Sequence, residues 1–179
     1  MSLSIRWLAP AAVCVAASPA CFAIQYLGVE QAQALIFPDA REFVRADARL
    51  TPDQIKAIEA KSGMRVRAAE QRVWQARTEG KLLGWFIVDE VLGKHEFITY
   101  AAGLSADGSV RQIEVMDYRE NYGYEIRNPV WRRQFAGKRL GDKLKLDEDI
   151  KNISGATLSC RHITDGIKRL LALYEVALR

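Results

Sequence analysis

The chain has 179 residues, of which 49% are hydrophobic and 27% are charged. This composition is typical of a globular protein with one domain of ordinary size. Lys and Arg number 26 against 22 Asp and Glu, a formal net charge of +4, and basic residues alternate with acidic ones along the chain. Because no basic stripe is interleaved with aromatic residues, the sequence indicates no nucleic-acid partner.

The N-terminal segment has the layout of an export signal. Arg6 precedes an apolar run over residues 7–23 that ends in small residues, as in a secretory signal peptide covering residues 1–23. Two alternatives stay open: an uncleaved membrane anchor, since residues 7–28 carry no charge, and a lipoprotein signal at Cys21. Each alternative predicts an extracytoplasmic location, in the periplasm or on the outer face of the inner membrane.

Cysteine and histidine usage predicts neither a disulfide nor a metal site. Cleavage after Ala23 leaves Cys160 as the one cysteine of the mature chain, and the only histidines are His95 and His162. A lone cysteine cannot form an internal disulfide, and two distant histidines lack the spacing of zinc or haem ligands. We therefore expect no bound metal.

The first part of the mature chain is predicted to be a helical N-terminal extension over residues 24–63. Residues 28–37 have the pattern of a short helix that Pro38 ends. Residues 40–48 continue the same helical composition.

A second helix in this extension has a clear start signal. Thr51 can cap it, Pro52 suits its first position, and Gln54 can reach back to complete a capping box. Residues 62–63, Ser-Gly, are typical of a helix end.

After residue 63 the pattern changes to strands. Alternating apolar residues predict four strands, the last two joined as a hairpin across residues 106–109, Ala-Asp-Gly-Ser. A short helix and a long amphipathic helix follow. The sequence therefore predicts an α+β fold, an antiparallel sheet with N-terminal helices and a long C-terminal helix, in which the strands cover residues 73–78, 82–88, 97–104 and 110–118 and the two last helices cover residues 129–135 and 159–177.

A run of small residues, Ser-Gly-Ala-Thr-Leu-Ser at 154–159, precedes the last helix. It places the Thr157 hydroxyl at a loop-to-helix junction, where free backbone N–H groups can bind a phosphate. The alternative is simple capping, since Ser154, Thr157 and Ser159 are all good N-cap residues. A hydrolytic nucleophile with His162 as its base is a third interpretation, but no carboxylate is evidently paired with that histidine.

These residues resemble the flavinylation motif of FMN-binding domains. That family includes small extracytoplasmic subunits of the Rnf and sodium-translocating NADH:quinone reductase complexes, and stand-alone relatives. The resemblance covers about residues 73–173 and includes Gly-Lys-His-Glu at 93–96, Asp-Gly at 107–108, the Tyr-rich loop at 118–125 and Gly-Lys at 137–138. It implies an FMN-binding domain over residues 64–179, with FMN joined to the Thr157 hydroxyl by a phosphoester that a separate flavin transferase makes from FAD.

The resemblance also implies which residues surround the cofactor. Tyr122 and Tyr124 are expected to stack on the isoalloxazine ring, and Glu120 or Glu125 to hydrogen-bond its polar edge. The full set of implied FMN-binding residues is Thr157 with its neighbours Ser154, Gly155, Ala156, Leu158 and Ser159, the loop residues Glu120, Tyr122, Gly123, Tyr124 and Glu125, and the rim residues His95 and Glu96.

One position departs from the family's pattern. Lys151 stands three positions before the motif's serine, where an acidic residue is usual, and Asp147 and Asp149 are out of register. The expected function is an extracytoplasmic electron-transfer flavoprotein, an electron carrier rather than a stand-alone enzyme, with membrane or periplasmic redox partners. The alternative is an accessory module of a membrane redox complex that binds flavin noncovalently or acts only by docking.

Overall fold

The computed structural model describes residues 26–179, so the predicted signal peptide lies outside the described residues. Two 3₁₀-helices, Tyr124–Arg127 and Arg133–Phe135, flank the third α-helix, and a π-helical segment, Tyr174–Leu178, follows the fourth. In chain order the main elements are α1 (Val29–Ile36), β1 (Glu42–Arg45), β2 (Ala48–Arg49), α2 (Pro52–Ser62), β3 (Glu70–Thr78), β4 (Lys81–Leu92), β5 (Phe97–Ser105), β6 (Val110–Tyr118), α3 (Pro129–Arg132) and α4 (Thr157–Leu173).

The strands form one antiparallel sheet in the order β1-β3-β4-β5-β6, and β2 pairs with β3 beyond the end of β1. Two helices come before the long strands and the long helix α4 closes the chain, which confirms the predicted α+β fold. The hairpin between β5 and β6 is also confirmed, with its tight turn held by Gly108 N–H donating to the Ser105 carbonyl at 2.9 Å.

The helix predicted over residues 40–48 is wrong, because this segment forms β1 and β2. Both strands pair with β3, and Phe43 packs edge-on against Phe37 at 6.3 Å and against Phe86 at 6.2 Å between ring centroids. The Asp47 carboxylate accepts the Val73 N–H at 3.0 Å between the two strands. These partners are distant in sequence, so tertiary pairing overrides a weak local helix propensity.

The sheet is covered on both faces, which gives three layers. On one face α1 packs with Phe37 over an apolar cluster that includes Trp74 and Phe86. On the other face α4 packs against the sheet, and α2 packs against α4. Trp85 and Ile113 lie in this second, larger cluster, as their alternation along β4 and β6 predicts.

The last helix begins two residues earlier than the predicted start at residue 159, so Thr157 is its first residue. Ten of the 17 residues of α4 are buried, which fixes the helix firmly on the sheet. Within residues 26–179, no helix combines the length and the apolar character that crossing a bilayer requires.

The predicted capping box of α2 is confirmed. The Thr51 hydroxyl accepts the Gln54 N–H at 3.2 Å, and the Gln54 side chain accepts the Thr51 N–H at 2.9 Å. Gly63 ends the helix in the left-handed conformation, with φ +68°.

We expect Thr51→Ala to lower the free energy of unfolding by about 1 kcal/mol, because the Gln54 N–H loses its acceptor. Urea unfolding of the purified chain measures this change, and Thr51→Ser is the matched control since it keeps the hydroxyl. An alanine variant as stable as wild type contradicts the prediction.

Candidate functional site

The motif at residues 154–159 ends in a helix start that protein side chains leave uncapped. The N-cap residue of α4 is Ala156, and among the described residues no side chain caps this end and no acidic residue lies in its first turn. The capping interpretation is therefore wrong for Ser154, Thr157 and Ser159 alike. The free N–H groups and the positive end of the helix dipole leave a place for an anion here.

The Thr157 hydroxyl is held by one side chain. Thr157 Oγ1 accepts a hydrogen bond from Asn152 Nδ2 at 3.1 Å, and Asn152 Oδ1 in turn accepts the Ile153 N–H at 2.8 Å. Thr157 itself is half-buried. Sequence reasoning missed Asn152, since a single asparagine two residues before the motif has no distinctive pattern.

The Tyr-rich loop that follows β6 folds against the start of α4. The Tyr118 phenol donates to the Tyr122 carbonyl and lies 3.5 Å from Ser159 Oγ. The ring of Tyr124 packs edge-on against Tyr118, with 5.7 Å between centroids. Gly123 approaches the motif so closely that a Cβ there would lie 2.6 Å from Ala156 Cβ.

This close approach makes Gly123 a sensitive position. In Gly123→Ala the new Cβ would also lie 2.7 Å from the Tyr118 hydroxyl, and the φ of +88° strains any L side chain. The loop must therefore move away from α4. We expect reversible FMN binding by the unmodified chain to weaken by at least about tenfold, measured by flavin fluorescence titration.

Gly80→Ala is the matched control for the backbone strain. Gly80 has a similar φ of +76°, but a Cβ there has nothing within 4 Å, and the residue lies in the turn between β3 and β4. Equal FMN affinities for the two variants would contradict a specific role for the contact between Gly123 and Ala156.

A third segment, residues 93–96, is fixed to the Tyr-rich loop by Glu120. This buried carboxylate accepts the His95 N–H at 2.6 Å and the Glu96 N–H at 3.1 Å through Oε1. Burial by itself raises the pKa of Glu120, but the N–H groups of His95, Glu96 and Lys94 outweigh it and lower the pKa below its usual range. Glu120 thus holds the loop in place as an ionised acceptor.

The three segments enclose a cavity of about 450 Å³. This is within the range of about 300–1,000 Å³ found for small-molecule sites. The cavity is lined by Lys94, His95, Tyr118, Glu120, Asn121, Tyr122, Gly155, Ala156, Thr157, Leu158 and Ser159.

Most of the residues singled out in the sequence meet at this cavity. Of the predicted set, Gly123 and Tyr124 lie directly behind the lining, against Ala156 and Tyr118. Ser154, Glu96 and Glu125 are outside the lining, and their predicted roles stay predictions, as do those of the lining residues. The structure adds Lys94, Tyr118 and Asn121 to the lining; all three fall within the segments that carry the resemblance, but only their placement shows that they reach the cavity.

The segment that leads into the motif is held by hydrogen bonds from elsewhere. The Lys151 N–H donates to Gln134 Oε1 at 2.8 Å, and the Trp131 indole donates to the Lys151 carbonyl at the same distance. Asp149 accepts from Lys138 Nζ at 2.7 Å. Burial raises the pKa of this carboxyl, but Lys138 and the Leu144 and Lys145 N–H groups outweigh burial and lower the pKa to about 2. Asp149 therefore organises its own turn.

His162 and Cys160 have other surroundings than a nucleophile needs. The His162 Nδ1 lies against the Leu92 carbonyl, at the end of β4, which gives the hydrolase interpretation no support. Burial raises the pKa of the Cys160 thiol to about 11, so this cysteine stays protonated and packs as a small apolar residue. Within the described part of the chain, no cluster of three His, Cys, Asp or Glu residues is arranged to hold a metal ion.

Another cavity, of about 210 Å³, is bordered by residues of α2 and α4 and contains none of the motif residues. Its charged groups Asp89 and Arg169 bind each other at 2.5 Å. Since these buried charges satisfy one another, this cavity presents no free polar group for a cofactor, and the cavity at Thr157 is the better candidate site.

Comparison with known proteins places the cavity within a known kind of domain. The family described as "FMN-binding domain" matches residues 93–172, a range that contains every residue lining the cavity. No curated protein sequence matches the chain.

Two solved structures are similar to this chain. NqrC from Shewanella oneidensis is 16% identical, with a TM-score of 0.55, over 79% of this chain and 83% of that chain. The corresponding component of the Na⁺-translocating NADH-quinone reductase from Parabacteroides distasonis is 14% identical, with a TM-score of 0.49, over 83% and 84% of the two chains. At this identity, the likeness to the first structure is a likeness of fold.

Proposed function

Residues 93–172 are an FMN-binding domain, and from this premise we propose that the chain is an extracytoplasmic electron-transfer flavoprotein that carries FMN covalently on Thr157. The observation that carries the proposal is the position of Thr157. Its side chain lies at the uncapped start of α4 and lines the same cavity as the aromatic residues Tyr118 and Tyr122.

The residues at the α4 start suit a phosphate. A phosphodiester on Thr157 carries one negative charge, and the free N–H groups and dipole of α4 stabilise such a charge by about 0.3–1 kcal/mol. Gly155 and Ala156 leave the backbone accessible, and Lys94 adds a positive charge to the cavity lining. A covalent ester at this place satisfies the helix end that no side chain of the described residues caps.

The rest of the cavity suits a flat aromatic ring. Bound FMN would supply the redox chemistry, while the chain binds and orients it. Tyr118 is buried at the cavity wall, and the Tyr122 side chain is 79% exposed, so its ring is free to cover a ligand. Leu158, 40% exposed, adds apolar surface beside Thr157.

Electron transfer rather than substrate turnover is the better interpretation of these residues. The candidate base His162 is engaged by the Leu92 carbonyl, and Glu120 is engaged by two backbone N–H groups. A carrier needs only a held cofactor that partners can approach, and a tether keeps that cofactor from diffusing away outside the cytoplasm. The N-terminal sequence, with Arg6 before an apolar run, supports export.

Intact mass spectrometry of the mature chain tests this proposal. The full-length protein is produced in its own host, or in a host that exports it and contains an active flavin transferase, and is recovered from the periplasm-side fraction. We expect a mass lowered by the leader and raised by one esterified FMN, fluorescence that persists after denaturation, and the adduct in the peptide containing Thr157.

A second, established substrate of the same transferase serves as the activity control. An unmodified peptide beside a flavinylated control protein contradicts the covalent proposal. Colour that disappears on unfolding and dialysis supports the reversible, accessory-module alternative, which the unusual Lys151 in front of the motif also favours.

A further inference from the structure

We propose that Asn152 is the positioning residue that prepares the Thr157 hydroxyl for flavin transfer. This inference rests on the proposed attachment of FMN to Thr157 and names the residue of this chain that makes the attachment efficient. It is carried by the hydrogen bond from Asn152 Nδ2 to Thr157 Oγ1, at 3.1 Å.

The direction of this hydrogen bond follows from the other end of the same amide. The Ile153 N–H lies 2.8 Å from Asn152 Oδ1 and can only donate. The carbonyl oxygen of the amide must therefore face Ile153, which leaves the NH₂ group to face Thr157. Asn152 is a donor to the threonine oxygen, and both ends of its side chain are fixed.

The backbone around Asn152 is held equally firmly. Lys151, just before it, is hydrogen-bonded through both its N–H and its carbonyl, and the Ala156 N–H closes a turn onto the Ile153 carbonyl at 3.0 Å. The amide of Asn152 therefore presents its N–H at a defined place beside the first turn of α4. The exposed Lys151 side chain does not take part in this arrangement.

A fixed donor has two effects on a threonine hydroxyl. It selects one of the two side-chain rotamers that threonine adopts in a helix. It also occupies one lone pair of Oγ1, so the hydroxyl hydrogen must point away from Asn152 and the remaining lone pair is left for bond formation.

The transfer reaction explains why this matters. Thr157 Oγ1 attacks the phosphorus of FAD that belongs to its FMN half, an Oγ1–P bond forms, and the P–O bond to AMP breaks. AMP leaves with the bridging oxygen, the hydroxyl proton is released to solvent, and no electrons are exchanged. Negative charge develops on Oγ1 as its proton departs, and the Asn152 N–H stabilises that charge as a preorganised donor.

Two substitutions separate this role from a structural one. Asn152→Ala removes both hydrogen bonds of the side chain. Asn152→Asp keeps the oxygen that accepts the Ile153 N–H but replaces the donor to Thr157 by an acceptor. Asn128→Asp is the matched control, because Asn128 Oδ1 accepts the Val130 N–H at 2.9 Å and this exposed residue caps α3, outside the cavity lining.

The purified, unmodified chain is incubated with FAD, Mg²⁺ and flavin transferase, and covalent flavin is followed by fluorescence of the denatured protein. For both Asn152 variants we expect kcat to fall by at least about tenfold, with the KM for the chain within about twofold of wild type. Reversible FMN affinity and the thermal midpoint should match those of Asn128→Asp, which should be labelled at the wild-type rate.

The possible results are distinguishable. If the wild type is labelled on Thr157 and either Asn152 variant is labelled equally fast, this inference is overturned while the proposed function stands. A rate loss matched by an equal loss of reversible FMN affinity also overturns it, because Asn152 would then shape the cavity as a whole. If the wild type takes up no covalent flavin, the proposed function fails and the inference fails with it.

Discussion

The Thr157→Ala variant is expected to carry no covalent flavin. The substitution removes the one hydroxyl at the first position of α4, and with it the oxygen that forms the ester. The fold should survive, because Thr157 does not cap the helix and the change deletes one half-buried hydrogen bond, worth about 0.5–1.5 kcal/mol. Intact mass and in-gel fluorescence after co-expression with the transferase measure the result.

Ser159→Ala is the matched control for this variant. Ser159 lines the same cavity two residues further along α4, and its Oγ lies 3.5 Å from the Tyr118 phenol. It is therefore the most direct competitor as an attachment point, and its variant should keep the adduct. Fluorescence that survives in Thr157→Ala and disappears in Ser159→Ala would move the attachment to Ser159.

Arg169→Ala is expected to lower the free energy of unfolding by about 3–5 kcal/mol, because it leaves a buried carboxylate without its counter-charge. Asp89 Oδ2 accepts from Arg169 Nη2 at 2.5 Å and from the Tyr100 hydroxyl at 2.6 Å. Burial, together with the charge of Asp89, raises the pKa of Tyr100 well above its usual range. The phenol therefore stays protonated and donates, but it cannot replace the positive charge.

Urea unfolding of purified protein measures this loss, and Arg161→Ala is the control. Arg161 is an exposed arginine on the same helix and takes part in none of the ion pairs within residues 26–179, so its removal should change stability by no more than about 0.5 kcal/mol. Adding Asp89→Asn to Arg169→Ala removes the stranded charge and should recover part of the loss. A single Arg169→Ala variant as stable as Arg161→Ala contradicts the prediction.

Some elements of this protein could be predicted because their causes are local. The capping box of Thr51 and Gln54 is complete within four residues, and the β5–β6 hairpin is specified by its turn and by alternation in the two flanking strands. β1 and β2 could not be predicted in the same way. Their pairing with β3 and the packing of Phe43 on Phe86 join residues tens of positions apart.

The candidate site divides along the same line. The amino-acid sequence alone determined the motif with Thr157, the neighbouring aromatic loop and the kind of domain to which they belong, because these are properties of short consecutive segments. Only the tertiary structure decided that Ala156 is the N-cap of α4, that Glu120 holds residues 93–96, and that Asn152 donates to Thr157. Each of these depends on where separate segments meet in space, and side-chain hydrogen bonds require atomic positions that no pattern of residue types contains.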